Sequence, residues 1–229
     1  MTVRSFYDRV WRTESGGIDR DSRRRLEADR DALDMLEPLA SVLALDIGIG
    51  GGASVEALLR RGARVVAVDL SHEALLRARA RTSGAHHVVA DAHRLPFRDR
   101  RFDRISVFSV LMFLDLPRAL PELGRIMKDA GRMAIVEPVA GNPMLAAWRF
   151  CSRRYANLAH WYDEAILREH LSRFFHVRSW HTHYLFPPAA ILREGRFRSI
   201  WMSLEQLFMD KTLLSKMSWI VTAELDKRS

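Results

Sequence analysis

Cysteine is almost missing from this chain: Cys151 is the only one in 229 residues. That excludes an intrachain disulfide framework and a cysteine-based zinc cluster. Lysine is scarce too. Lys128, Lys211, Lys216 and Lys227 are the only ones, so a formal net charge of +8 is carried almost wholly by arginine. The arginines are scattered, with local clusters at Arg23–Arg25 and Arg98–Arg104, and no aromatic-basic platform accompanies them. This argues against nucleic acid as the partner. They read as solvated faces, with long-range steering of an anionic substrate as the functional alternative. No run approaches the roughly 18 apolar residues of a membrane span. The opening MTVRSFYDRVW has no apolar signal core. A soluble, cytoplasmic protein without stable membrane insertion is therefore expected. No His/Asp/Glu set stands at metal-ligand spacing, so no metal is expected.

What the chain does have is one dense stretch, residues 43–70, reading LALDIGIGGGASVEALLRRGARVVAVDL. A short apolar run ends in Asp46. A turn follows that is made almost entirely of glycine: Gly48, Gly50, Gly51 and Gly52. Residues 53–61 then show helical spacing, with Val55, Leu58 and Leu59 on one face, and a second apolar run ends in Asp69. This is a strand, a tight turn, a helix and a second strand, a βαβ unit. Glycines in such a turn tolerate positive φ and let a ligand approach the backbone. A third apolar run, residues 87–90, ends in Asp91.

Two ligands suit this turn. Gly48-x-Gly50-x-x-Ala53 fits the dinucleotide fingerprint, with Asp69 at the distance of a ribose-binding acid. The other is S-adenosylmethionine. A carboxylate at Asp46 would repel a pyrophosphate but suits a ligand bearing an ammonium and a sulfonium. In an open α/β sheet, acids ending three successive strands converge on one crevice. Asp69 would then take ribose hydroxyls and Asp91 the adenine amine. The bland reading of each acid is a turn former or a helix cap.

Four stretches together carry a family resemblance: DIGIGGG (46–52), VVAVDLS (65–71), VVADAHRLPFRDRRFD (88–103) and LGRIMKDAGRMAIVEP (123–138). They resemble class I S-adenosylmethionine-dependent methyltransferases, and most of all the small-molecule branch related to the ubiquinone and menaquinone methyltransferases. The resemblance is good over residues 7–138 and loose beyond. It implies an α/β fold: a Rossmann-like, seven-stranded, mostly parallel sheet with helices on both faces and the last strand antiparallel. It implies S-adenosylmethionine as cofactor, held by Asp46, Gly48, Gly50, Asp69, Leu70, Asp91, Ala92 and Phe108. Residues 1–229 would form one domain, with a helical cap (1–40), a cofactor-binding core (41–138) and a substrate-side segment with the closing strands (139–229).

The chain departs from the family at two points. Met112-Phe113 stand where many relatives carry a histidine pair. No Asn/Asp-Pro-Pro-Tyr/Phe follows the fourth strand, the motif of enzymes that methylate base amines. A small-molecule substrate is expected in consequence.

Around the core, Phe6, Tyr7, Val10 and Trp11 form a helical stripe, and residues 22–39 read as a charged helix. In the family, an aromatic near Tyr7 closes over the methyl donor; plain packing is the alternative. Residues 71–82 read as a helix, 102–108 as the fourth strand, 116–127 as a helix, Asp129-Ala130-Gly131 as a turn and 133–137 as the fifth strand. Beyond Val139, Trp148, Phe150, Tyr155, Trp161 and Tyr162 make an aromatic-dense segment. Residues 163–174 read as a helix, 177–186 as strand six and 219–225 as the last strand. The helical piece at 189–215 has an apolar face that serves as core, lid, membrane-surface face or homodimer contact.

Methyl transfer from a sulfonium asks mainly for alignment, plus a base where the nucleophile carries a proton. Candidates are His160, His170, His181, His183 and Glu137. His160, in the aromatic segment, and His183, on strand six, are the catalytic assignments; a solvated or satisfied histidine is the bland reading of each. The expected activity is methyl transfer to an oxygen or carbon of a small hydrophobic metabolite. Competing readings are a cofactor-binding protein of the same fold that does not methylate, a nicotinamide-dependent oxidoreductase and an RNA methyltransferase.

Overall fold

The computed structural model describes residues 2–13, 26–141, 158–183 and 219–228. Cys151, Trp148, Phe150, Tyr155 and the 189–215 piece lie outside the described residues.

Helix α1 (Val3–Thr13) and helix α2 (Leu26–Met35) precede strand β1 (Leu43–Ile47). Then come α3 (Ala53–Arg60), β2 (Arg64–Asp69), α4 (His72–Ala78), β3 (His86–Val89), β4 (Phe102–Phe108), a short 3-10 turn (Leu111–Phe113), α5 (Leu116–Ile126) and β5 (Met127–Pro138). Helix α6 (Glu164–Phe174), β6 (Phe175–His183) and β7 (Ile220–Lys227) complete the described elements.

The strands form one sheet in the order β3-β2-β1-β4-β5-β7-β6. Strands β1 to β5 pair in parallel, and β7 runs antiparallel between β5 and β6. This is the Rossmann-like sheet with one antiparallel strand that was expected. The order reverses at β1, whose neighbours β2 and β4 leave in opposite directions, so a crevice opens beyond its C-terminal end.

Alternation along the central strands separates two cores. Leu43, Leu45 and Ile47 of β1 join Ile105, Ile135 and the apolar sides of α5 and α6, including Leu120, Leu123 and Leu171. Ala44 joins Ala67, Ala134 and the inner sides of α1 to α4, including Trp11, Leu36, Leu58 and Leu75. Helices therefore cover both faces. Among the described residues, no helix is long and apolar enough to cross a membrane.

Local chemistry explains the helix ends. Ser71 caps α4 by accepting the Ala74 N–H, and Asp163 caps α6 by accepting the Ala165 N–H. Helix α4 is shorter than the periodicity suggests. It ends at Ala78, and the chain loosens into turns whose Thr82 hydroxyl donates to the Ala78 carbonyl at 2.8 Å. The turn expected at Asp129-Ala130-Gly131 is instead an irregularity inside β5. Phe102 pairs with Met127 and Arg104 already with Arg132, so the extra residues of β5 bulge out of the ladder.

Candidate functional site

Three glycines shape the turn after β1 in different ways. Gly48 has φ +81° and donates its N–H to the Val68 carbonyl at 2.8 Å. A Cβ there would collide with the Val110 side chain beyond β4, so only glycine fits. Gly52 packs on Ala78 and Thr82. Gly50 differs: a Cβ would meet nothing nearer than the Gly48 carbonyl oxygen at 4.0 Å. The space above Gly50 is open, and its φ of +50° turns the main chain there.

Asp46 lies beneath this turn at 1% exposure. Its Oδ1 accepts the Ser106 hydroxyl at 2.6 Å. Its Oδ2 is buried with no hydrogen-bond donor in place, although the nearby Ser54 hydroxyl favours the charged form. Burial dominates and raises the Asp46 pKa to about 7. Asp69, at the end of β2, is half-buried. It accepts the Ser71 N–H at 2.8 Å, and the amides of Gly50 and Ile49 also favour its charge. Burial still outweighs them and raises its pKa to about 6. Among the described residues, neither acid is in an ion pair.

Asp91, beyond β3, is the exposed member of the set. Burial raises its pKa, but the backbone and ring of His93 outweigh that, and the net shift is downward. Leu70, Ala92 and Phe108 sit beside these acids at the ends of β2, β3 and β4. The Leu70 carbonyl accepts from Arg4 of α1 at 3.1 Å, Ala92 is buried and Phe108 is half-buried. The structure thus brings Asp46, Gly48, Gly50, Asp69, Leu70, Asp91, Ala92 and Phe108 to one edge, across four adjacent strands.

The loop after β4 walls the crevice on its other side. Ser109 adopts φ +58°, unusual for a side-chain-bearing residue, and turns the chain out of the sheet. Glu137, at the end of β5, is fully buried and accepts three consecutive amides, from Val110, Leu111 and Met112, at 3.0–3.2 Å. The Met112 carbonyl accepts the His160 N–H at 2.6 Å, and the Leu114 carbonyl accepts the Tyr162 hydroxyl at 3.3 Å. Tyr7 of α1 meets Phe113 edge to face, with centroids 5.4 Å apart. Elements distant in sequence therefore hold this loop.

The histidines separate into two groups. His160 is exposed, with its ring 6.3 Å from Tyr162, which in turn lies 6.0 Å from His170. This group adjoins the loop after β4. His181 and His183 share a face of β6, but it is the face that α2 covers, where His181 acts on the charge of Asp31. His183 is hydrogen-bonded to the Thr222 hydroxyl at 2.9 Å, and burial lowers its pKa to about 4. Reasoning from sequence missed His93 and Ser106 and saw Glu137 only as a base. The i, i+2 spacing of Asp91 and His93 was the one available signal. Among the described residues, no cluster of metal-ligating side chains occurs.

Known proteins share the fold and the segment that carries this turn. Residues 45–135 match the family model described as a methyltransferase domain. A demethylmenaquinone methyltransferase of Thermobifida fusca is 38% identical over 137 residues, 57% of this chain and 56% of that protein. The chain thus spans about half the length of the curated relatives it matches. In structure, the partner solved with the Haloferax volcanii Trm112 methyltransferase activator superposes with a TM-score of 0.74 at 19% identity, over 100% of this chain and 98% of that one. A geranyl diphosphate C-methyltransferase of Streptomyces coelicolor, solved with Mg2+, geranyl diphosphate and S-adenosyl-L-homocysteine, gives a TM-score of 0.65 at 17% identity, over 87% of this chain and 77% of that one. At these identities the structural likeness concerns the fold. Over residues 45–135, with acids ending β1, β2 and β3 around an open glycine turn, the chain is similar to methyltransferase domains and, in sequence, to the demethylmenaquinone methyltransferases.

Proposed function

We propose that the chain transfers a methyl group from S-adenosylmethionine to an oxygen or carbon of a small, largely hydrophobic molecule. The observation that carries this reading is Asp46. A buried carboxylate oxygen without a donor, under an open glycine turn and without a cation, is costly unless a ligand supplies the positive group. The cofactor's ammonium is such a group, whereas a pyrophosphate would be repelled. Asp69 would hold the ribose hydroxyls and Asp91 the adenine amine.

When bound, S-adenosylmethionine supplies an activated methyl on a sulfonium. The chain's own residues then bind, orient and exclude water. Ser109 and the loop that Glu137 holds would align the methyl-bearing end. His160, exposed beside this loop, is the proposed acceptor of a substrate proton. His183 takes second place, because burial keeps it neutral and Thr222 occupies its Nε2. A hydrophobic substrate suits the aromatic side chains of Tyr7, Phe113 and Tyr162 gathered at the loop after β4. The relatives named for demethylmenaquinone and geranyl diphosphate support the same class.

Calorimetric titration with S-adenosylhomocysteine and, separately, NAD tests the cofactor assignment. Binding of the first alone, weakened at least about tenfold by Asp69→Ala, is expected from the loss of charged hydrogen bonds. Binding of NAD alone would overturn it. A screen of quinones, phenols and prenylated compounds, read as S-adenosylhomocysteine release, tests the substrate class.

A further inference from the structure

His93 stands between the two halves of the crevice and has a fixed job there. It begins two residues after Asp91, whose Oδ1 accepts the His93 N–H at 2.9 Å in an Asx turn. The same Oδ1 meets the ring Nδ1 at 2.5 Å. On the far side of the ring, Nε2 is 2.9 Å from the Asp115 amide nitrogen, the residue before α5. An amide N–H can only donate. Nε2 is therefore the unprotonated nitrogen, and Nδ1 carries the proton that it donates to Asp91. The imidazole side chain is only 17% exposed, against 55% for Asp91. The ring is wedged, while the carboxylate it holds faces solvent. Among the described residues, Oδ2 of Asp91 accepts no hydrogen bond, so that oxygen is left for a ligand; Arg118 adds positive charge nearby.

Asp115 closes the same loop whose amides at 110–112 go to Glu137 and whose carbonyls at 112 and 114 receive His160 and Tyr162. One ring thus joins the acid beyond β3 to the end of the loop beyond β4. We propose that His93 is a positioning residue that orients Asp91 toward the cofactor's adenine amine and ties that pocket to the loop lining the substrate side. The inference rests on the cofactor assignment proposed above.

The test is a ratio of affinities. Wild-type protein is titrated with S-adenosylhomocysteine and with S-inosylhomocysteine, which carries a carbonyl oxygen in place of the amine. An oriented Asp91 favours the amine by at least about tenfold, the worth of one charged hydrogen bond. His93→Ala should cut the preference to about threefold or less, and His93→Asn, which keeps a donor near the Nδ1 position, should restore most of it. Hydrogen exchange at the Asp115 amide should accelerate in both variants, since neither offers the Nε2 acceptor. If His93→Ala weakens both ligands equally and leaves the ratio intact, His93 is merely structural and the inference falls while the cofactor reading stands. Unchanged exchange at Asp115 would overturn the tie to the loop. Failure of the wild-type protein to bind either nucleoside would overturn the cofactor reading and this inference with it.

Discussion

Acids lie along both edges of the sheet, and their partners differ. At the edge where β1, β4 and β5 begin, Asp103 accepts Lys128 Nζ at 2.7 Å and also the Leu43 amide. Arg125 grips Glu122 and Asp99 and donates to the carbonyls of Leu95 and Phe97. Asp129 pairs with Arg100 and Lys227, and Glu224 with Arg132. At the opposite edge, Asp46 and Asp69 are held by hydroxyls and amides, with no ion pair among the described residues. The pKa directions follow. Burial raises Asp103, but Lys128 and its neighbours outweigh it and the net shift is downward. Arg125 lowers Glu122, while burial raises Asp46 and Asp69. A chain rich in arginine has paired the acids of one edge with its own cations and, among the described residues, has left Asp46 and Asp69 at the other outside any ion pair. The first edge is complete without a ligand; the proposed function assigns a cationic ligand to the other.

Substitutions should separate the two edges. Asp46→Asn has the largest expected effect on binding. It removes the charge opposite the ammonium and should weaken S-adenosylmethionine by about a hundredfold, within the 2–5 kcal/mol range for a lost buried charge partner. The same change should raise the thermal midpoint at pH 8, because a buried carboxylate lacking its ligand is costly. A fall in both would break the contrast.

Glu137→Gln comes next. The amide keeps one acceptor oxygen but presents N–H groups to backbone N–H groups, at a cost of about 2 kcal/mol. A midpoint drop of about 4–8 °C by calorimetry is expected for a chain of this length. Arg125→Ala should cost about 1–2 kcal/mol, discounted because a third of its side chain is exposed, and should leave cofactor affinity unchanged in the same titration.

The pH dependence of stability separates the two sets as well. Asp103 and Glu122 have lowered pKa values in the folded chain, so the stability they contribute is present above the ordinary carboxylate value of about 4 and is lost as pH falls through their folded values. Asp46 and Asp69 have the opposite sign. Their contribution is full below about 4 and disappears as pH rises through about 6 to 7. Midpoints measured across pH for the wild type, Asp46→Asn and Asp103→Asn should show the two trends.

The acids of the crevice were legible in the sequence because buried parallel strands read as unbroken apolar runs, so an acid that ends one marks the strand's C-terminal edge. Three such acids around a glycine turn mark the candidate site. The start of β5 was not legible, since Lys128–Gly131 looks like a turn, and only the flanking pairs Phe102–Met127 and Arg104–Arg132 make it a bulge within the strand. Nor was the role of Glu137, whose amide donors lie 25–27 residues earlier and carry no residue signature. His93 shows both limits: its bond to Asp91 is local and readable, its bond to Asp115 spans 22 residues and depends on the fold. For β6, alternation correctly put His181 and His183 on one face but could not say which helix covers it.

The most direct test of the cation-seeking edge is proton linkage. S-adenosylmethionine is titrated into the protein by calorimetry at pH 6.5 in two buffers of different ionisation enthalpy. Asp46, with its pKa raised to about 7 in the free protein, should give up its proton to face the ammonium. The predicted result is net proton release, diminished in Asp46→Asn, with affinity that strengthens as pH rises toward 7. Net proton uptake, or a linkage that Asp46→Asn leaves unchanged, would contradict the account.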